Sequence, residues 1–161
     1  MINKKIQDAI NKQIQVEISS AYIYLGMAAH FEAETLKGMA GWMKKQSSEE
    51  MAHAMKFYDF VLERGGKVEL LNIEKAKTTF KSVKEVFEET LQHERYVTAS
   101  INALLELARQ EKDYPFESML KWFVDEQVEE ESTVEEILAK IDLLGDKSAH
   151  LYMLDKELGA R

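Results

Sequence analysis

Residues Gly66–Lys81, GKVELLNIEKAKTTFK, separate two long amphipathic stretches, and their length decides the fold. The stretch before them, about 36–64, and the one after, about 82–111, carry apolar residues at helical spacing. A helix of ~28 residues is about 42 Å long. Roughly 16 extended residues reach about 50 Å, enough to run the length of a bundle and start the next helix parallel to the last. An up-down connection would need only a short turn. The expected fold is all-α: a four-helix bundle with a long crossover between its second and third helices and a short fifth helix after it.

Local signals place the remaining elements. Helices are expected over about 3–33, 36–64, 82–111, 114–144 and 147–158 of a single domain spanning 1–161. Glu34-Thr35 breaks the first from the second, and Gly65-Gly66 ends the second. Ser82 with Glu85 forms a capping box for the third. Asp113 before Tyr114-Pro115 starts the fourth, Gly145 ends it, and Asp146 is expected to cap the fifth.

Each long helix has an inward stripe interrupted near mid-length by groups that bind metals. The stripes run Ile6, Ile10, Gln13, Glu17, Ala21, Tyr24, Ala28, Phe31, then Met39, Met43, Gln46, Glu50, His53, Phe57, Phe60. The others run Phe87, Leu91, Glu94, Val97, Ile101, Leu105 and Phe116, Leu120, Phe123, Gln127, Glu130, Val134, Ile137, Ile141. Glu17, Glu50, His53, Glu94 and Glu130 stand where the period asks for hydrophobic side chains. Ionised carboxylates are rarely buried unpaired, and no Lys or Arg shares these stripes, so a multiply charged cation is the natural partner. Register brings the groups together: Glu17 and His53 are symmetric about residue 35, Glu94 and Glu130 about residue 112, each at a helix break.

Composition narrows the function. One proline, seven glycines and no cysteine fit long helices and exclude disulfides, zinc ribbons and thiolate-bound clusters. A net charge of −8, from 29 acidic and 21 basic residues without a basic tract, argues against nucleic acid as a direct partner. No stretch has the length of an apolar membrane span, and Met-Ile-Asn-Lys-Lys leads into an amphipathic helix rather than a secretory signal. The expectation is a cytoplasmic protein with no membrane partner.

Carboxylates with one imidazole suit iron or manganese. Glu50 and His53, one turn apart, can face one metal, and Glu17 could complete that position. A bridging Glu50 would join it to a second metal served by Glu94 and Glu130. Gln127 could bond a metal-bound oxygen species or orient a carboxylate. Tyr24, two turns after Glu17, could hydrogen-bond a ligand or supply an electron. Without metal, burial and repulsion should raise the carboxyl pKa values, so that binding releases protons. Glu49, Glu126, Glu129 and Glu130 could together make a third, weaker position on the way out.

The pattern Glu17…Tyr24, Glu49-Glu50-Met51-Ala52-His53, Glu94 and Glu126-Gln127-Val128-Glu129-Glu130 closely resembles the bacterial non-haem ferritins, over essentially the whole chain. The resemblance implies a di-iron ferroxidase centre, with Glu17, Glu50 and His53 at one iron and Glu50, Glu94 and Glu130 at the other. It assigns Glu49, Glu126, Glu129 and Glu130 to a third iron site. It further implies that Fe(II) is oxidised by O₂ or hydrogen peroxide and stored as a ferric mineral in a homo-oligomeric shell of 24 subunits. Bacterioferritins, which bind haem, keep two Glu-x-x-His elements; here Gln127-Val128-Glu129-Glu130 lacks the histidine, and haem is not expected. Met51 matches the haem-ligand position of bacterioferritins, but non-haem ferritins carry methionine there too.

Two other classes compete: a di-iron oxidase acting on an organic substrate, and a helical interaction protein whose buried acids are structural. Some residues have plainer readings. His93 lies outside its stripe and is expected at the surface; His30 and His150 have no ligand-like neighbours; Trp42 and Trp122 read as packing, Trp122 also as a candidate electron donor near Gln127. Tyr22, Ile23, Leu25, Tyr58 and Val61 at the stripe edges, with Leu151, Leu154 and Leu158 of the fifth helix, suggest subunit contacts.

Overall fold

The structure, a computed structural model, describes residues 1–145 and 147–161. Its helices are α1 Lys4–Ala33, α2 Lys37–Glu63, α3 Val83–Gln110, α4 Tyr114–Leu144 and α5 Ser148–Gly159. The sequence signals act as expected at several ends. Asn3 accepts from Lys5 N at 2.8 Å, Ser82 from Glu85 N at 3.0 Å and Asp113 from Phe116 N at 3.1 Å. The return bond of the capping box shifts by one residue, since Glu85 accepts from Lys81 N. The expected cap Asp146 lies outside the described residues.

Three helices stop with the same device. Thr35, Lys112 and Gly65 have φ of 62°, 54° and 69°. In each case the next residue donates back to a carbonyl near the helix end: Leu36 to Phe31 O, Asp113 to Ala108 O and Gly66 to Val61 O, at 2.9, 2.9 and 2.8 Å. The two tight hairpins, α1–α2 and α3–α4, therefore turn in matching ways although neither uses glycine at the left-handed position.

Contacts between the hairpins set the topology. Along α1, Gln13, Ser20, Tyr24 and Met27 meet Ser100, His93, Glu94 and Thr90 of α3, so the two helices run antiparallel. Along α2, Gln46, Phe57 and Phe60 meet Glu130, Phe123 and Phe116 of α4, also antiparallel. With α1 antiparallel to α2 as well, α3 runs parallel to α2, and the crossover spans the bundle. Its path is laid along α1. Gln7 Oε1 accepts from Lys67 N at 2.8 Å, Asn11 bonds both Lys67 O and Glu69 N, and Gln15 donates to Asn72 O. Farther along, Gly26 leaves room for the crossover backbone, because a Cβ there would lie 2.4 Å from Lys77 O.

Helix α5 docks against the start of α2. A Cβ on Gly38 would fall 1.8 Å from Asp155 O, and one on Gly159 would fall 2.8 Å from Gly38 Cα. Asp155 Oδ1 accepts from Met39 N at 2.8 Å, which caps an α2 terminus whose own Leu36 offers no side-chain acceptor. Two expectations about subunit contacts are corrected here. Leu154 and Leu158 pack into this chain's own core, and Val61 is fully buried between helices. The helices cross close enough to cover residues at the stripe margin. Tyr22 and Leu25 remain exposed.

The core has two apolar parts. Tyr24, Phe31, Met39, Met43, Phe87 and Ile137 belong to one, and Ile6, Ile10, Phe57, Ile101, Phe116 and Leu120 to the other. Between them lies a buried polar layer: Gln13, Glu17, Gln46, Glu50, His53, Glu94, Gln127 and Glu130.

Candidate metal centre

Each long helix sends at least one carboxylate into this layer, and α2 adds the imidazole. Glu17, Glu50 and His53 each offer a ligand atom within 4.8 Å of the others. His53 Nδ1 lies 3.3 Å from Glu50 Oε2, without hydrogen-bond alignment. Glu17 Oε2 and Glu50 Oε2 are buried with no hydrogen-bond partner. Unpaired buried carboxylate oxygens are costly; a proton shared between Glu17 and Glu50 offsets this in the metal-free protein, and a metal ion can take its place.

Three of the four glutamates receive a glutamine amide. Gln13 Nε2 donates to Glu17 at 2.8 Å, Gln127 Nε2 to Glu94 at 3.1 Å and Gln46 Nε2 to Glu130 at 2.8 Å. Glu94 also accepts from the Tyr24 hydroxyl. The amides are themselves oriented, Gln13 by Ser100 Oγ and Gln46 by Arg161 Nη1, each donating to the amide oxygen. Glu50, in the middle, receives none of these amides, which leaves it open to two sides.

Electrostatics follow from burial. Burial first, then the Glu50 charge, holds the Glu17 carboxyl well above its ordinary value of 4.5. Glu50 is raised well above it by burial and then by Glu94, and Glu94 is raised by burial against the pull of Tyr24 and Gln127. Glu130 is pushed up to about 7 by burial and then by Glu94. Tyr24 is raised well above 10.0 by burial and then by Glu94, so it remains a neutral donor.

The outer acids are more spread. Glu126 Oε1 stands 4.0 Å from His53 Nε2, Glu49 is held by Arg161 Nη2 at 2.9 Å, and Glu129 is exposed. Among the described residues, only Glu17, Glu50 and His53 gather to mutual ligand distance. Glu94 and Glu130 sit at the same level but are turned to their amide donors.

The expectation that His93 is a surface residue is corrected. It is wedged between α3 and α1, with Nε2 2.7 Å from Ser20 Oγ and its ring edge-on to Tyr24 at 6.0 Å. Burial lowers its pKa to about 4, so it is neutral. Ser20 gives its proton to Val16 O, which makes His93 Nε2 the donor. Trp122 meets His53 edge-on at 5.3 Å, with Lys56 Nζ 3.7 Å from its ring centroid. Gln13 and Gln46 interrupt the stripes one turn before Glu17 and Glu50, a polar signal in the sequence whose function, orienting carboxylates, only the structure shows. Arg161 gave no local signal.

A crossover bundle with a mid-level layer of carboxylates and imidazole belongs to the class that binds metals between facing helices. Residues 7–144 match the family model for the ferritin-like domain. The chain is 44% identical over 161 residues to a bacterial non-heme ferritin of Bacteroides fragilis, covering 100% of both chains. It is 40% identical to one of Staphylococcus aureus, covering 100% of this chain and 97% of that one. Among solved structures it superposes on the open pore ferritin of the hyperthermophilic archaeon Archaeoglobus fulgidus with a TM-score of 0.98, at 45% identity, covering 100% of this chain and 99% of that one. The chain belongs to the ferritin family. It is an iron-storage protein with ferroxidase activity, and its buried Glu17, Glu50 and His53 form a metal-binding group.

Proposed function

We propose that Fe(II) binds in pairs at this centre, the first ion held by Glu17, Glu50 and His53 and the second by Glu50, Glu94 and Glu130. The observation that carries this reading is the pair of buried, unpartnered oxygens on Glu17 and Glu50 beside His53. Each Fe(II) gives up one electron. Dioxygen taking two electrons and two protons leaves as hydrogen peroxide; hydrogen peroxide doing the same leaves as water. Oxygen-rich ligands favour the ferric product. Gln13, Gln127 and Gln46 hold Glu17, Glu94 and Glu130 in place, and Tyr24 keeps a neutral hydroxyl on Glu94. Trp122, edge-on against His53, fixes the plane of that imidazole.

The product then moves outward past Glu126, Glu49 and Glu129, which with Glu130 make a third, weaker iron position. It ends as a ferric mineral inside a shell of 24 copies in the cytoplasm. Exposed Tyr22, Leu25 and Met51 on adjoining turns of α1 and α2 support assembly. The test is to add increasing Fe(II) aerobically to metal-free protein and measure soluble iron retained per chain. Retention far above the few ions the ligand sets can hold is expected. Saturation at that small number would identify a di-iron enzyme without a store, and no specific uptake would leave the acids structural.

A further inference from the structure

Arg161, just past α5, makes three contacts on α2. Nη1 donates to Gln46 Oε1 at 2.5 Å, Nη2 donates to Glu49 Oε2 at 2.9 Å, and the guanidinium lies 5.1 Å from the Trp42 ring centroid. The far end of Gln46 donates to Glu130 Oε2 at 2.8 Å. One guanidinium thus touches an acid of the proposed outer position and, through one amide, an acid of the proposed inner pair.

We propose that Arg161 is a positioning residue that regulates the outer metal position, a resident cation competing with metal for Glu49 while fixing the amide that holds Glu130. The inference rests on the ligand roles of Glu49 and Glu130 proposed above. A guanidinium stays charged at any working pH and grips in a fixed plane, so Glu49 is always partly neutralised. An outgoing ion must displace it to use that carboxylate. The side chain starts from a fixed base, since the Gly38–Gly159 contact and the Asp155 cap seat α5 on α2. The Arg161–Glu49 pair is about one-third exposed on each side, so the competition is modest. A modest competitor raises the threshold for occupying the outer position without blocking passage.

The test is calorimetric titration of the metal-free assembled protein with Zn(II), a redox-inert probe of carboxylate and imidazole sites. In the wild type, a tight step that Glu17→Ala removes and a second step that Glu94→Ala removes should precede a weaker one that needs Glu49. Arg161→Ala should leave the tight step unchanged and tighten the weaker step by about two- to fivefold, the range expected for an exposed ion pair. Arg161→Lys should restore only part of the wild-type weaker step, because an ammonium keeps the charge but not the fork that holds Gln46 and Glu49 together. In a Glu49→Gln background, Arg161→Ala should change nothing. If the weaker step is unmoved or loosened by Arg161→Ala, or tightens equally without Glu49, the role of Arg161 is wrong while the centre stands. If the tight step is missing or survives Glu17→Ala, the ligand assignment fails first and the inference with it.

Discussion

Glu17 and Glu50 approach within 4.8 Å from adjacent helices, and each keeps one carboxylate oxygen buried without a partner. Two such groups destabilise the metal-free fold and reward any cation that enters. Zn(II) at about a hundred times its dissociation constant should stabilise the protein by about 2.7 kcal/mol per site. Melting with and without Zn(II) measures this. Glu17→Ala or His53→Ala should remove most of the Zn(II) effect and the fast phase of Fe(II) oxidation, with assembly retained by light scattering. A fast phase that survives either substitution would place the chemistry elsewhere.

Tyr24 acts on the other half of the centre. Its hydroxyl and Gln127 are the side-chain donors on Glu94, and both lower a carboxyl that burial raises. Tyr24→Phe removes one donor in a site closed to water. A lost charge-assisted hydrogen bond of about 1.4 kcal/mol corresponds to about tenfold in affinity. The second metal step near neutral pH should weaken by about that factor, with the Glu17–His53 step unchanged. Stepwise Zn(II) calorimetry distinguishes this from a general loss of structure, which would weaken both.

The metal-free protein should be most stable on the acid side of neutrality. Glu130 has an ordinary value of 4.5 and a folded value of about 7. Between those values the folded state binds the extra proton, so stability is fully present below about pH 4.5 and lost as pH rises through about 7. The loss from this group is on the order of 3 kcal/mol. Glu17, Glu50 and Glu94 act in the same direction. Thermal melts of metal-free protein across this range should show the decline, and Glu130→Gln should flatten part of it. Zn(II) added at pH 7 in weak buffer should release protons.

What the sequence made legible had a period or a local signature. The stripes set the helices and the depth of Glu17, Glu50, Glu94 and Glu130; the length of Gly66–Lys81 set the crossover. Lateral packing was harder to read. Val61 and His93 stand beside their stripes, and only the separation of neighbouring helices decides whether such positions are covered. Leu154 and Leu158 suggest subunit surface in the sequence because a short apolar strip does not reveal which helix it will meet. The contact from Arg161 to Gln46 joins residues 115 positions apart and has no local trace. The crossover's seat was more accessible: Gln7, Asn11 and Gln15 recur every fourth residue on an outer face of α1, a spacing that marks a polar ridge for a chain running alongside.

The seating of α5 can be tested with two glycines one turn apart on α2. Gly38 has no room for a side chain, since its Cβ would meet the Asp155 backbone at 1.8 Å, whereas a Cβ on Gly41 would meet nothing within 4 Å. Gly38→Ala must push α5 away from α2, straining the Asp155 cap on Met39 and the packing of Leu154 and Leu158. Overpacking of this kind costs about 1–3 kcal/mol. Gly41→Ala adds a better helix former in open space and should stabilise α2 by up to about 1 kcal/mol. Opposite shifts in melting temperature are expected, with faster proteolysis after Leu144 only in Gly38→Ala. Because Arg161 reaches Glu49 from the end of this helix, Gly38→Ala should also reproduce the tighter outer Zn(II) step of Arg161→Ala, while Gly41→Ala leaves it at the wild-type value.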